Sequence, residues 1–338
     1  MTTHLTAIDV FSGCGGLTTG LKMAGFKVIS AIEIDSKAAD TYRLNHPEVS
    51  IVEKDIRMVD ADEFMSELGV IKGEVDLIAG CPPCQGFSKI GRKNKAIDSQ
   101  DERNELIDDF ARIVFALQPK TIMMENVPGL ADYKKFHQFK KSLHNHGYKF
   151  RTEVLNVADY GVPQRRHRLI LLASKNKKPS LANIITDNKT VRDSIFGLKQ
   201  VGSSGDALHD FPEKRTEKVM KIIKLIPKDG GSRSSLPVSL QLACHQRSAG
   251  FNDVYGRMAW DEPSPTITGG CTNPSKGRFL HPEEDRAITM REAAILQSFP
   301  IDYQFNIKHG KGAISQMIGN ALPPIFIKVH AQSLIKCL

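Results

Sequence analysis

Residues 5–34, LTAIDVFSGCGGLTTGLKMAGFKVISAIEI, decide the fold. LTAIDV (5–10) is a short apolar run halted by glycine, and GLTTGLKMAG (16–25) has helical spacing with Gly25 placed as its C-terminal cap. FKVISAIEI (26–34) then reads as a second strand, which makes a first βα unit with a parallel neighbour. The alternation continues with a helix after Ser36, the strand VDLIAG (75–80), a helix over 104–117 and the strand TIMMEN (121–126). A helix over 133–146, the extended KFRTEVLN (149–156) and RLILLAS (168–174) complete it. This pattern predicts an α/β chain with a parallel sheet covered by helices. From residue 175 onward KNKKPS, GSSGD, KDGGSRSS and NPSKGR replace it, so 176–288 reads as a second, loop-rich domain. Helical periodicity returns at MREAAILQSF (290–299) and IFIKVHAQSLIKCL (325–338).

The 338 residues suit two domains at about 100–200 residues each. With 41% apolar and 25% charged residues the composition is that of a globular chain. No apolar run approaches the roughly 18 residues of a bilayer span, and the start lacks a basic segment followed by an apolar one. A soluble, cytoplasmic protein is expected. Six cysteines, at 14, 81, 84, 244, 271 and 337, are too sparse for a disulfide framework and read as reduced thiols. Lysine and arginine exceed aspartate and glutamate by 46 − 38 = +8, which favours an anionic partner. Lys89, Arg92, Lys93 and Lys95 share a glycine-containing stretch with no acid, as in a loop touching phosphates; the bland reading is a solvated loop.

FSGCGGL (11–17) places Gly13, Gly15 and Gly16 in the turn entering the first helix, where backbone amides can approach a ligand. Glu33 ends the second strand 17 residues after Gly16, where an acid can bind ribose hydroxyls. The GxGG spacing departs from the dinucleotide GxGxxG, so with Glu33 and Asp55 an adenosine-type ligand is preferred to a nicotinamide or to a plain tight turn. GCPPCQGFS (80–88) follows a buried strand and puts Cys84 at the sheet's carboxyl edge, its approach stiffened by two prolines. Zinc or redox readings of Cys81 and Cys84 lack, respectively, a second cysteine pair and a thioredoxin-like context, and no metal site is expected. TIMMENVPG places Glu125 and Asn126 at the same edge, where a carboxyl group can bond a heterocycle's ring nitrogen and amino group. In YGVPQRRHRLI, alternation would set Arg166 and Arg168 on one face, beside Gln164 and Arg165, to bind a carbonyl oxygen, phosphate or structural carboxylate.

FSGCGG, PPCQGFS, ENV, QRRHR, REAAILQSFP and IGNALPP, in this order and spacing, resemble the DNA cytosine-5 methyltransferases of prokaryotic type. The resemblance covers 5–174 and 256–330. It implies a Rossmann-like S-adenosylmethionine-dependent methyltransferase sheet in 1–185 with 308–338, and a smaller loop-rich DNA-recognition domain over 186–307. It implies S-adenosylmethionine held by Phe11, Ser12, Gly13, Gly15, Gly16 and Leu17, with Glu33 on the ribose, Ile34 against adenine, Asp55 and Ile56 at the base edge, and Asn320 and Ala321 on the methionine side. It implies a cytosine flipped from double-stranded DNA, Cys84 adding to ring carbon 6, Glu125 bonding nitrogen 3 and the amino group, and Arg166 and Arg168 holding the carbonyl and its surroundings. DNA contacts are implied for Ser88, Lys89, Arg92, Lys93, Lys95, Gln164, Thr266 and Ile267. Cys81, where many relatives carry glycine or a bulky apolar residue, has no implied catalytic role. A monomer is expected, with room for a cognate restriction endonuclease acting separately. The rival readings are a tRNA cytosine-5 methyltransferase, whose Cys-Phe-Thr signature the CTN at 271–273 does not match, an inactive nucleic-acid-binding module, and an oxidoreductase.

Overall fold

The computed structural model describes residues 4–83, 105–241 and 253–338. The chain splits into two compact units: Met1–Tyr160 with His167–Ile185 and Leu322–Leu338, and Gly161–Arg166 with Thr186–Ala321. Two stretches counted with the first domain in sequence, 161–166 and 308–321, thus cluster with the second unit.

The first unit is built on seven strands: β1 (Thr6–Val10), β2 (Lys27–Glu33), β3 (Ser50–Glu53), β4 (Leu77–Gly80), β5 (Thr121–Asn126), β6 (Lys149–Asn156) and β7 (His167–Ser174). They lie in the order β3-β2-β1-β4-β5-β7-β6. Its helices are α1 (Gly16–Ala24), α2 (Ser36–Asn45), α3 (Ala61–Leu68), α4 (Leu106–Leu117) and α5 (Lys134–Asn145). In the second unit are α6 (Val191–Ile195), α7 (Glu217–Leu225), α8 (Met290–Leu296) and α9 (Gly310–Asn320), and α10 (Pro324–Ile335) returns to the first. Strands β4 and β5 are buried throughout, as the continuous runs LIAG and TIMMEN require of strands covered on both faces. Helix α4 buries Ile107, Phe110, Ile113, Val114 and Leu117, one apolar stripe at helical spacing. Asp35 and Asp60 cap α2 and α3 by accepting from backbone N–H groups of the first turn.

The sheet is not wholly parallel, in contrast to what the alternation suggests. Strand β7 runs antiparallel to both β5 and β6. KFRTEVLN and RLILLAS are joined without a helical crossover, so the chain reverses between them instead of crossing the sheet. Strand β3 and helix α3 are additions to the sequence reading; SIVE is a four-residue edge strand with no fully buried position, too weak a pattern to stand out.

The chain crosses from one side of β1 to the other between β3 and β4, which puts the topological switch between β1 and β4. Val10 pairs with Gly80 there, so the glycine loop and the Cys81 segment leave the sheet side by side. A Cβ on Gly80 would lie 2.6 Å from the Val10 carbonyl oxygen and 2.8 Å from the Phe110 ring. Helix α10 closes on α1 at Gly20, where an added Cβ would stand 2.5 Å from the Pro324 carbonyl oxygen and 2.6 Å from the Ile327 Cβ.

Gly80→Ala should therefore spread β1 from β4 and cost about 1–3 kcal/mol, the usual range for overpacking. Urea denaturation of the variant beside the parent checks this, and a midpoint equal to the parent's would refute the crowding argument.

Candidate active site

The loop after β1 is shaped by backbone geometry. Phe11, Gly13 and Gly15 have φ of 65°, 55° and 95°. Ser12 donates its N–H to Ile32 O at 3.0 Å, and Gly15 donates to Ser12 O at 3.0 Å. Gly13 donates to Glu33 Oε2 at 2.7 Å, while Glu33 Oε1 accepts from the N–H groups of Ile34 and Asp35 at 2.9 and 2.8 Å. Burial raises the pKa of Glu33 and these three donors oppose the rise. Ile34 is 64% exposed at the end of a strand whose other apolar residues are buried or half-buried. The Ser12 hydroxyl is buried with no hydrogen-bond partner among the described residues. Leu17 is buried in α1, and burial pushes the neighbouring Cys14 thiol up to about 12.

Asp55 is occupied by Arg57 at 2.6 Å, an ion pair that holds its carboxyl below the usual range. Ile56 packs its side chain into the core and its carbonyl accepts from Arg112 Nη2 at 2.6 Å, so what it offers a ligand comes from the backbone. Beneath the loop, Thr18 Oγ1 donates to the fully buried Asp9 Oδ2 at 2.6 Å and lies 2.8 Å from the Tyr42 hydroxyl. His46 Nε2 lies 3.3 Å from the Gly15 carbonyl oxygen, and burial with the nearby Lys22 lowers its pKa to about 4.

At the ends of β4 and β5 stands a second cluster. Glu125, almost completely buried, has Oε1 2.8 Å from Arg168 Nε. The Cys81 thiol donates to its Oε2 at 2.9 Å. Asn126 Nδ2 donates to the Pro82 carbonyl oxygen at 2.7 Å and so fixes the proline segment that leads to Cys84. The reversal of β7 makes the cluster possible: Glu125 pairs with Ile170 and Asn126 with Leu169, so the start of β7 lies at the carboxyl edge of β5. A parallel β7 would have carried Arg168 to the opposite edge. Cys84, Ser88, Lys89, Arg92, Lys93 and Lys95 lie outside the described residues.

The second unit accounts for the other motif residues. Arg166 precedes β7 rather than sharing a face with Arg168. Its guanidinium is buried and donates to Ile267 O at 2.8 Å and Gly319 O at 3.1 Å. Gln164 is fully buried: it accepts from Ile267 N at 2.9 Å and donates to Gln297 Oε1, while Gln297 donates to Ile318 O and Ala321 O at 3.0 and 2.6 Å. The QRR, SPTITGG, LQSF and IGNA segments are thus sewn together by buried amides and one guanidinium. The contacts expected of Gln164 and Ile267 with DNA have no side-chain surface here, since both are fully buried. The Thr266 hydroxyl donates to Arg165 O at 2.8 Å. Gly319 abuts the 268–269 backbone, where a Cβ would stand 2.1 Å from the Thr268 carbonyl carbon. Asn320, at the end of α9, is exposed and accepts from Gln316 at 2.8 Å. Sequence reasoning missed a basic face: Lys214, Lys218, Lys221 and Lys224 are all exposed, the last three at i, i+3 and i+6 on α7.

The family described as C-5 cytosine-specific DNA methylase matches residues 5–336. The chain belongs to that family. It is 35% identical to the type II methylase M.HgiDII of Herpetosiphon aurantiacus, over 98% of this chain and 95% of the relative. It is 34% identical to the type II methyltransferase M1.HphI of Haemophilus parahaemolyticus, over 98% and 87%. The solved structure of a protein assigned as a DNA modification methyltransferase, encoded within a prophage of E. coli, superposes with TM-score 0.70 at 27% identity, covering 98% of this chain and 99% of that one. Membership makes this chain a DNA cytosine-5 methyltransferase with the family's Rossmann-like sheet. No helix among the described residues is long and apolar enough to cross a membrane.

Asp9 gives the glycine loop's support a pH signature. Burial pushes its carboxyl up to about 7 from 3.8. Between these values the unfolded chain releases the proton that the folded chain keeps, so this group's contribution to stability falls as pH rises through the window. Asp9→Asn should remove a slope on the order of 2 kcal/mol, read by comparing urea midpoints near pH 4.5 and 7.5. A variant with the parent's pH dependence would show that Asp9 is not protonated in the folded state.

Proposed function

We propose that this protein methylates carbon 5 of a cytosine flipped out of a specific double-stranded DNA sequence, with S-adenosylmethionine as donor and a transient Cys84 adduct on the ring. The observation that carries the reading is the buried Glu125 carboxyl group held by Arg168 at the edge from which the Cys84 segment departs. The loop after β1 fits the cofactor's chemistry: Glu33 is a carboxylate for ribose hydroxyls, the exposed Ile34 is an apolar face for adenine, and the buried Ser12 hydroxyl lacks a protein partner among the described residues. Phe11, Gly13, Gly15, Gly16 and Leu17 line that turn, Asp55 and the Ile56 backbone belong to the base edge, and Asn320 and Ala321 to the methionine side. When bound, S-adenosylmethionine supplies an electrophilic methyl on a sulfonium.

Cys84 acts as thiolate, forming a bond to ring carbon 6. Glu125 favours that addition by giving nitrogen 3 a proton and accepting from the amino group, which stabilises the enamine whose ring carbon 5 is then nucleophilic. After methylation, the carbon-5 proton passes to solvent water, its bonding pair restores the ring double bond, and Cys84 leaves as thiolate. Arg168 orients Glu125; Arg166, with Gln164, holds the second unit's backbone. Residues 186–307 of that unit read the DNA sequence, with Thr266 and the segment around Ile267 near the duplex. Ser88, Lys89, Arg92, Lys93 and Lys95 bind phosphates, and the enzyme acts as a cytoplasmic monomer beside any cognate restriction endonuclease.

Labelled methyl transfer to DNA, to tRNA and to neither distinguishes this reading from a tRNA methyltransferase and an inactive binding module. Cys84→Ser should abolish transfer while leaving cofactor and DNA binding measurable, because a hydroxyl is far less ionised than a thiol. Full activity of this variant would remove Cys84 as nucleophile.

The basic face of α7 adds a second test. Lys214, Lys218, Lys221 and Lys224 make no ion pair within 4.0 Å among the described residues, although Glu217 stands one turn before Lys221. Replacing Lys218, Lys221 and Lys224 by alanine should weaken DNA binding and lower the slope of log affinity against log salt by roughly 2–3, about 0.9 for each phosphate that is no longer neutralised. The methylated sequence should not change, since phosphate contacts carry no base information. An unaltered slope would leave these lysines as a solvated face.

A further inference from the structure

We infer that Cys81 is a positioning residue, whose thiol fixes the Glu125 carboxyl group in the plane from which it engages the cytosine ring. The inference rests on the DNA cytosine-5 reading proposed above. A glutamate carboxyl turns readily about its last side-chain bond, because that torsion has only broad minima. Arg168 restrains one oxygen, with Nε 2.8 Å from Oε1 on the β7 side. The Cys81 thiol meets Oε2 at 2.9 Å from the β4 side, so the two flanking strands grip the two oxygens separately. Ring nitrogen 3 accepts, so Glu125 meets it through its carboxyl proton, while the amino group donates to the other oxygen, and each oxygen keeps a lone pair for Arg168 or Cys81.

The thiol is itself well anchored. It follows Gly80, whose close contact with Val10 admits no side chain, and precedes Pro82, whose carbonyl oxygen Asn126 holds at 2.7 Å. Cys81 Sγ is therefore delivered to Glu125 by the same stiffened segment that leads to Cys84. Glycine or alanine at this position would bring no donor, and serine would bring one of similar reach. Cys81 is assigned no contact with a reacting atom and acts through Glu125.

The test compares Cys81→Ala with Cys81→Ser in single-turnover methyl transfer at saturating DNA and S-adenosylmethionine. Cys81→Ala should slow the transfer about fivefold, the effect of losing one weak donor to a charged group, with DNA affinity and melting temperature near the parent's. Cys81→Ser should recover most of that loss. A readout that does not depend on activity is the S–H stretching band, isolated as the infrared difference between the parent and Cys81→Ala. It should lie below the free-thiol position and shift upward in Glu125→Gln, whose amide oxygen is a weaker acceptor. Parental speed in Cys81→Ala, equal slowness in both variants, or a band that ignores Glu125→Gln would each overturn the inference. If the parent transfers no methyl to DNA, the proposed function falls, and the infrared comparison still decides whether the thiol grips Glu125.

Discussion

The contact between Arg168 and Glu125 sets the terms for the catalytic edge. Burying a carboxylate without a partner costs several kcal/mol, and an arginine beside it offsets most of that only when the geometry is good. The sheet meets this demand with a single reversal. Because β7 runs against β5, the residue that opens β7 lies beside the residues that close β5, and a charge pair distant in sequence becomes a neighbour pair. Cys81 approaches from the β4 side, and Asn126, at the end of β5, holds the Pro82 carbonyl oxygen.

The glycine loop, its helix and Glu33 were legible because they lie within one short βα unit, where local spacing carries the geometry. Placing Glu125 at a strand end needed only the apolar run TIMMEN, and VDLIAG located the strand that precedes Cys81. The direction of β7 was not legible, since a buried strand has the same apolar run whichever way it points. The expectation that Arg166 and Arg168 share a face came instead from alternation along one strand, and β7 begins only at His167, after Arg166. Their neighbours divide them: Arg168 meets a carboxylate, and Arg166 meets backbone carbonyls.

The second unit shows why motif residues need not touch a ligand. Gln164, Arg166, Gln297 and Gly319 sit in the most recognisable short patterns of the chain, and all are buried. Each satisfies a backbone group or permits a close approach between segments with little regular structure of their own. A loop-rich unit has few ladder hydrogen bonds, so side chains take over the pairing of its buried carbonyls. The lysines of α7 are the converse case, carrying no motif and lying wholly at the surface.

The packing of α10 against α1 has a consequence for synthesis. Gly20 lies in α1, near the start of the sequence, and Pro324 and Ile327, which it receives, in α10. During translation the glycine loop's own helix therefore waits, with an apolar face uncovered, until some three hundred further residues have been added. At elongation speeds of about 5–20 residues per second, that is an interval of roughly 15–60 seconds. Throughout it the nascent chain lacks the wall of its own first domain, and the cofactor loop rests on a helix that nothing yet holds from behind.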